Sequence, residues 1–314
     1  MLKNLKLLAV GLLIFAVAGC SLRPGYYGKR ESIRNMELAE TSETQPIAKV
    51  ESVLAPAPVS APVPVPEAPK VDEGVSQGLK KLTLGEQLTF SIRWLGLEAG
   101  RTTVTIKDKV QVNGHDCYHI EAFSRTTYIL DVLFRIRDYH DTYVDAEEFY
   151  THRFLKRALE GDHTYDETND FDYVQNKAFY VNKKKNQTKV TSIPGKVQDI
   201  VSVSYWFRTR DVKVGDAVKT VLHSDEKNYD VTIHVLSKEK FNLDGKGNVP
   251  MIVIEPKAKR GEKVFKKGRA KIWVTDDAER LPLFAEMHVI IAGTLNIVLL
   301  SKENIYAGGG VAKS

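Results

Sequence analysis

The sequence predicts a mainly β fold, in which a single curved antiparallel sheet forms a barrel or half-barrel with one or two short helices. Between residues 81 and 305, apolar and polar residues alternate in segment after segment, which is the period of strands with one buried face. Only two short stretches repeat apolar residues at helical spacing. About a dozen strands with so few helices favour one curled sheet over two separate domains.

The first predicted strand has the clearest alternation. Its apolar side chains share one face, and polar residues separate them along the chain. This pattern is typical of a half-buried antiparallel strand. If the sheet encloses an apolar ligand cavity, we expect that face to line it: Leu88, Phe90, Ile92 and Trp94.

Turn and helix signals separate the strands that follow. Asn113-Gly114 is the strongest turn signal, because both residue types accept the positive φ angles of a type I′ hairpin turn. Helical spacing of Val203 and Phe207 just after Asp199, a residue type suited to an N-cap, predicts a short helix. Residues 128–134 form a weaker helical candidate. Further strands are predicted near residues 102–106, 118–122, 136–145, 151–159, 162–174, 177–181, 187–192, 217–223, 229–237, 250–255, 270–275, 282–291 and 295–301.

Residues 1–19 are predicted to be a lipoprotein signal peptide. Two lysines precede twelve uncharged residues, Leu7 to Ala18, a length that suits a signal core and is shorter than the roughly 20 apolar residues of a spanning helix. The string Val17-Ala18-Gly19-Cys20 resembles the bacterial lipobox, which implies that Cys20 is lipidated and begins the mature protein. Two alternatives stay open: an ordinary signal peptide with Cys20 incidental, and a first helix that is not cleaved.

The residue after the cysteine bears on the location. Under the sorting rule that goes with the lipobox, Ser21 rather than Asp at this position implies the outer membrane, and we expect the domain to face the periplasm. Two or three acyl chains anchor a protein stably, whereas one chain alone binds only marginally. The first expected partner is therefore the membrane, reached through the N-terminal lipid.

Residues 20–80 are predicted to be the lipidated cysteine followed by a disordered linker. Eight of the twelve prolines lie before residue 70, and six of these fall between Pro56 and Pro69, a composition typical of an extended spacer. The alternative is a docking site for a proline-recognising partner. All three tryptophans follow this stretch, so the folded domain is predicted at residues 81–305 and a disordered tail at residues 306–314.

The composition argues against two classes of protein. The chain is 43% hydrophobic and 27% charged, as expected of an ordinary globular core. A formal net charge of +5 in 314 residues is too small to indicate a nucleic-acid partner. If Cys20 is lipidated, Cys117 has no cysteine partner in the chain, which argues against a disulfide-stabilised domain.

The sequence contains none of the commonest metalloprotease, redox or nucleotide motifs. It lacks H-E-x-x-H, C-x-x-C and a phosphate-binding loop. His115 and His119 lie four residues apart but have no obvious third ligand, so we expect no metal and no other cofactor. Cys117 has no basic sequence neighbour to activate it and is predicted to be a small buried side chain. We therefore expect no catalytic residues and a protein that is not an enzyme.

Two further residue groups have structural interpretations. Asp276 and Asp277 lie between two predicted strands, where their side chains suit hydrogen bonds to backbone amides in a turn better than acid–base catalysis. Trp206 lies in the predicted helix and is expected to anchor the core.

A cluster of basic residues lies between Lys257 and Lys271. It holds eight lysines and arginines against one acid, Glu262. One interpretation is a solvated hairpin. The other is contact with anionic head groups, lipopolysaccharide phosphates or an acidic partner. The side chains expected to make such a contact are Lys263, Lys266, Lys267 and Arg269.

Four strings along the predicted domain resemble a family of exported bacterial proteins of unknown function, the DUF3108 type. They are GEQLTFSIRWLGLEAG, RIRDYHDTYVD, QDIVSVSYWFRTRDVKVGD and IWVTDDAERLPLFAE, at residues 85–100, 135–145, 198–216 and 272–286. The family is distantly similar to the half-barrels of outer-membrane lipoprotein carriers and receptors, in which a curved antiparallel sheet covers an apolar cavity. The resemblance implies this fold and an apolar ligand, although one fold hosts many functions.

These observations predict a periplasm-facing outer-membrane lipoprotein whose half-barrel binds a lipid or other apolar ligand in envelope transport or assembly. A second hypothesis is a structural lipoprotein that tethers a rigid domain to an envelope protein complex. A third is an enzyme that acts on envelope lipids or glycans. An open apolar cavity favours the first hypothesis, and a core filled by side chains favours the second.

Overall fold

The computed structural model describes residues 82–307, apart from residues 133, 244–246, 265–267 and 290–292. The predicted signal peptide, Cys20 and the predicted linker lie outside the described residues, as do residues 308–314 of the predicted tail. The described part extends two residues into that tail, where the Tyr306 hydroxyl donates a hydrogen bond to the Lys107 carbonyl at 2.7 Å.

The described residues form one large β-sheet with two short helices, which confirms the predicted fold class. The helices are α1 (Tyr128–Asp131) and α2 (Ser202–Arg208). The strands are β1 (Glu86–Trp94), β2 (Leu97–Val112), β3 (His115–Thr126), β4 (Ile136–Asp145), β5 (Thr151–Glu160), β6 (His163–Asp172), β7 (Lys177–Asn182), β8 (Gln187–Ser192), β9 (Ala217–Ser224), β10 (Lys227–Leu243), β11 (Gly247–Arg260), β12 (Lys263–Val264), β13 (Gly268–Thr275), β14 (Pro282–Val289) and β15 (Gly293–Asn304).

The strands follow one another across the sheet in an almost sequential order. The order is β8-β7-β6-β5-β4-β3-β2-β1-β15-β14-β13-β11-β10-β9, and the short β12 pairs with β11. Neighbouring strands are antiparallel throughout this path. The chain therefore winds from β1 out to one edge at β8, crosses to the other edge at β9, and returns to pair β15 with β1.

The sheet curls without closing into a complete hydrogen-bonded barrel. Among the described residues no ladder joins the edge strands β8 and β9, and one parallel bridge, Gln198 to Leu222, links the segment after β8 to β9. Side chains also span the gap, since Asn228 Nδ2 donates to the Ser192 carbonyl at 2.7 Å. Register shifts in the pairings of β1 with both neighbours interrupt the ladders, and such bulges bend a sheet locally.

Helix α2 packs against the concave face of the sheet and completes the core. Val203, Tyr205 and Phe207 of this helix are buried in the same apolar cluster as Leu88 and Phe90 of β1. Trp206 is also buried, which confirms its expected role in the core. Within the described part of the chain, neither helix has the length and apolar character needed to cross a membrane.

The hairpin between β2 and β3 has the predicted turn. Asn113 has a φ of 52° and Gly114 a φ of 83°, as a type I′ turn requires. Leu95 (φ 51°) and Gly96 (φ 81°) join β1 to β2 in the same way. These two-residue turns fix the register of the first three strands, and with it the face to which each side chain points.

Candidate functional site

A small cavity lies between α2 and the concave face of the sheet. Its volume is about 50 Å³, which is more than the ~10–15 Å³ that a cavity needs to hold one water molecule. Most of the side chains around it are apolar. They include Leu88 and Phe90 from β1, Tyr205 and Phe207 from α2, and Phe284 and Ala285 from β14.

The structure places two of the four predicted cavity residues on this wall. Leu88 and Phe90 line the cavity. Ile92 is buried in the same core further along β1, and Trp94 is partly buried at the end of the strand. The alternation along β1 thus identifies the buried face of the strand, while the wall that α2 supplies follows from the tertiary fold.

Asp199 fixes the position of α2 at the cavity. Its Oδ1 atom accepts hydrogen bonds from the backbone amides of Val201 (2.7 Å) and Ser202 (2.9 Å), so it caps the helix as predicted. Its Oδ2 atom accepts hydrogen bonds from the hydroxyls of Thr142 and Thr151. The start of the helix is therefore tied to β4 and β5.

Two arginines border the cavity, and both are engaged. The Arg208 guanidinium donates to both carboxylate oxygens of Glu86, at 2.6 and 3.0 Å, and this pairing raises the pKa of Arg208 against the opposing effect of burial. Arg280 Nε donates to the Arg210 carbonyl at 2.8 Å, and its Nη2 lies 3.6 Å from Asp211. The wall therefore offers apolar contacts more readily than a free charge.

The interior beyond the cavity is polar. β4 and β5 carry Asp138, His140, Lys156 and Glu160 on buried or largely buried positions. Burial, together with the nearby Glu160 carboxylate, raises the pKa of Asp138 to about 8, while Lys156 acts in the opposite direction. Burial lowers the pKa of His140 to about 3. Sequence reasoning missed these residues, although alternation along β4 places Asp138 and His140 on the same face as the buried Thr142.

The end of the sheet at the β1–β2 turn exposes large apolar side chains. Leu95 lies in that turn and Leu97 follows it, and their side chains are 77% and 71% exposed. Tyr128 and Val132 lie in and just after α1, and they are 85% and 78% exposed. The two segments are neighbours, because the Thr127 amide donates to the Ala99 carbonyl at 3.0 Å.

One residue of the predicted basic contact, Arg269, lies at the same end of the sheet. Arg269 is exposed near the start of β13, where Gly268 pairs with Val289 of β14. Val289 pairs in turn with the start of β15, the strand that runs beside the end of β1. Lys266 and Lys267 lie outside the described residues, as does the side chain of Lys263.

The histidines considered for metal binding separate in the structure. His119 Nε2 lies 2.8 Å from Asp141 Oδ1, and its ring stacks on Tyr143. His115 instead lies beside Asp145 and His152, and these three side chains bring their potential ligand atoms within 4.8 Å of one another. No linear sequence motif predicts this group, because its members come from three different strands.

Cys117 and Asp277 have the structural roles predicted for them. Cys117 is fully buried, and burial is the main cause that raises the pKa of its thiol to about 12. Asp277 Oδ1 accepts hydrogen bonds from the backbone amides of Glu279 (2.9 Å) and Arg280 (3.1 Å). Neither residue is therefore presented as a reactive group.

A family model described as a protein of unknown function (DUF3108) matches residues 89–299. The match confirms the resemblance inferred from the four strings, and it extends from β1 to β15. No curated protein matches this chain.

Several solved structures are similar at low sequence identity. A β-barrel-like DUF1849 protein from Brucella abortus has 10% identity and a TM-score of 0.47, and the match covers 70% of this chain and 97% of that protein. Two others each have 8% identity, with matches that cover 70% of this chain and 96% of theirs. One, from Bacteroides fragilis, is described as exported with a YmcC-like fold (TM-score 0.26), and one, from Parabacteroides distasonis, as a lipoprotein (TM-score 0.28).

Proposed function

This chain belongs to the DUF3108 family of proteins of unknown function, and we propose that its half-barrel binds a lipid or other apolar ligand in envelope transport or assembly. The observation that carries the proposal is the apolar cavity between α2 and β1, which Leu88 and Phe90 line. Filling it removes apolar surface from water, which favours binding by about 25 cal/mol per Å². We assign the chain a binding role rather than a catalytic one.

The size of the cavity limits what it holds. A volume of about 50 Å³ accepts a short apolar segment and not a whole lipid. A longer acyl chain therefore needs α2 to move away from the sheet. Because Arg208 is already paired with Glu86, the segment that enters is uncharged.

A cavity-filling substitution tests the proposal. The chain from residue 21 onward, purified without detergent, is titrated with a fluorescent fatty acid. We expect saturable binding that Ala285→Leu weakens at least tenfold, because the larger side chain occupies the cavity. Ala217→Leu is the matched control, since Ala217 is exposed on β9, and it should bind like the parent. Absence of saturable binding by the parent at any concentration contradicts the proposal.

Truncation of Phe90 distinguishes this proposal from the second hypothesis, a structural lipoprotein whose core is filled by side chains. In a filled core, Phe90→Ala should lower the free energy of unfolding by roughly 3–5 kcal/mol. At a ligand-binding wall the loss should be smaller, with a change in fatty-acid affinity. A large loss of stability, in a domain that takes up no fatty acid, supports the structural lipoprotein instead.

We further propose that the protein is anchored by lipidated Cys20 to the outer membrane and faces the periplasm. The lipobox-like string before Ser21 supports this location. The exposed apolar side chains of Leu95 and Tyr128, with the exposed Arg269 at the same end of the sheet, support contact between that end and an anionic membrane surface.

A further inference from the structure

A second candidate site lies at the other end of the sheet, away from the cavity and the apolar turns. His115 begins β3 directly after the Asn113-Gly114 turn, Asp145 ends β4, and His152 lies in β5. Pairing of Cys117 with Asp145 sets the ends of β3 and β4 side by side. A register shift after Tyr143 leaves His152 outside the regular pairing. The topology thus gathers three side chains that are far apart in the sequence.

The donor atoms of this group suit a transition-metal ion. Two imidazoles and one carboxylate are a common three-ligand set for zinc. His152 Nε2 lies 3.2 Å from Asp145 Oδ2. Two ligands of a tetrahedral ion with bonds of 2.0–2.1 Å lie roughly 3.3 Å apart, so this pair already has the required spacing. We propose that His115, Asp145 and His152 bind a zinc-type divalent ion and leave its fourth position open.

The surroundings hold two of the three ligands in place. Asp145 Oδ1 accepts hydrogen bonds from the backbone amides of Glu147 (3.0 Å) and Glu148 (2.8 Å), which leaves Oδ2 to face the ion. The buried His152 ring packs against Tyr150, with 4.8 Å between ring centroids. Such outer contacts orient metal ligands and tune their affinity.

His115 supplies the adjustable ligand. It is exposed, and its ring stacks on His152 with 4.5 Å between centroids and 25° between planes. Its potential ligand nitrogen lies within 4.8 Å of the donor atoms of Asp145 and His152, so His115 has to move closer to them when an ion binds. If this group has only a structural role, the contact between Asp145 and His152 is sufficient and His115 is not needed. Metal binding requires His115 as the third ligand, so changes at His115 distinguish the two roles.

Zinc binding by the full-length chain, prepared without a polyhistidine tag and stripped with EDTA, tests the proposal. We expect one Zn²⁺ per chain, measured by calorimetric titration and by a rise in melting temperature. Mg²⁺ at the same concentration should have no effect, because it prefers oxygen ligands. Loss of a ligand should weaken zinc binding by at least the 10–100-fold that changes in outer contacts cause, so His115→Ala should show at least this loss.

His163→Ala is the matched control, because His163 is also exposed and begins β6 at the opposite end of the sheet. This variant should bind zinc like the parent. Co²⁺ substitution adds a readout of geometry, since a tetrahedral site gives intense visible bands that His115→Ala should abolish. If the parent binds no zinc at one per chain, or if His115→Ala and His163→Ala titrate identically, the site does not exist.

Discussion

Arg208 and Glu86 place opposite charges beside an apolar cavity. Both side chains are nearly inaccessible to solvent, and Lys302 lies 3.8 Å from the same carboxylate. Removing one partner of a buried pair leaves the other charge uncompensated, which typically costs about 3–5 kcal/mol. Glu86→Gln should therefore lower the free energy of unfolding by about 3 kcal/mol in urea denaturation, because the amide keeps one hydrogen bond but no charge.

A double-mutant cycle separates the interaction energy of the Glu86–Arg208 pair from the destabilisation caused by removing one partner. Glu86→Gln combined with Arg208→Met removes both charges, and its destabilisation should be smaller than the sum of the single changes. Glu303→Gln, at an exposed position of β15, is the control and should stay within about 0.5 kcal/mol of the parent. Additive single changes would show that the two side chains are not coupled.

The buried carboxyl of Asp138 makes stability depend on pH. Its pKa rises to about 8 in the folded chain, against roughly 3.9 in an unfolded one. A raised pKa means that the folded state binds the proton more tightly. This contribution to stability is complete below about pH 4 and is lost as the pH rises through about 8.

Asp138→Asn removes that titration. We expect the variant to gain stability relative to the parent as the pH rises from about 4 to about 8, by on the order of a few kcal/mol. Urea unfolding at pH 4, 6 and 8 measures the difference. Asp162→Asn, at an exposed position, is the control, and its free energy of unfolding should change with pH as that of the parent does. Parallel curves for Asp138→Asn as well would mean that Asp138 is ionised in the folded protein.

At the level of elements, local periodicity predicted most of the sheet. The predicted strands at 136–145 and 187–192 coincide with β4 and β8. Burial alternates with period two along the whole of β8 and along β4 as far as His140. β10 extends to Leu243, beyond the predicted residue 237, because a register shift between Val235 and Ser237 interrupts the alternation. The two-residue β12 is too short to have a period.

The candidate sites were less predictable than the strands. Alternation along β1 identified Leu88 and Phe90, because a single strand defines its own faces. The opposite wall depends on where α2 lies, which the bonds from Asp199 to Thr142 and Thr151 decide. These contacts join residues about 50 positions apart in the sequence, so no local pattern contains them.

The basic segment between β11 and β13 leads to a prediction at the same scale. Neutralising it should weaken binding of the chain from residue 21 onward to vesicles with anionic lipid, since each basic residue near such a surface contributes about 1 kcal/mol. The loss should be largest at low salt, because exposed charges are screened over about 10 Å at 0.1 M. Vesicle co-sedimentation measures it. The substitutions are Lys263→Gln, Lys266→Gln, Lys267→Gln and Arg269→Gln.

Four exposed lysines elsewhere give the matched control. They lie toward the other end of the sheet, so their neutralisation changes the net charge equally but not the proposed contact: Lys109, Lys196, Lys213 and Lys240. Equal losses for the two sets would indicate a general charge effect. If the parent binds no vesicles at any salt concentration, the proposed membrane contact is wrong and the interpretation as a solvated hairpin is favoured.

For the whole molecule, the inside of the sheet divides into two parts with different chemistry. Apolar side chains of β1, β14 and α2 surround the cavity, whereas β4 and β5 face the interior with Asp138, Lys156 and Glu160. Among these described residues, an apolar ligand is therefore expected to bind at the cavity rather than beside β4 and β5. The apolar turns at one end and the histidine pair at the other give the domain two chemically distinct ends.

The proposed lipid anchor leads to the last prediction, because it would decide whether the domain stays at the membrane. If Cys20 carries the lipid, Cys20→Ser should leave the precursor uncleaved by the lipoprotein peptidase and unlabelled by a palmitate analogue in bacterial cells, because the thiol that accepts the diacylglycerol is gone. Cys117→Ser is the matched control, since Cys117 is buried within the folded domain, and it should label like the parent. Gel mobility, analogue labelling and membrane fractionation together measure the outcome. Equal labelling of the parent and Cys20→Ser would remove the anchor, and the domain would then act as a free exported protein.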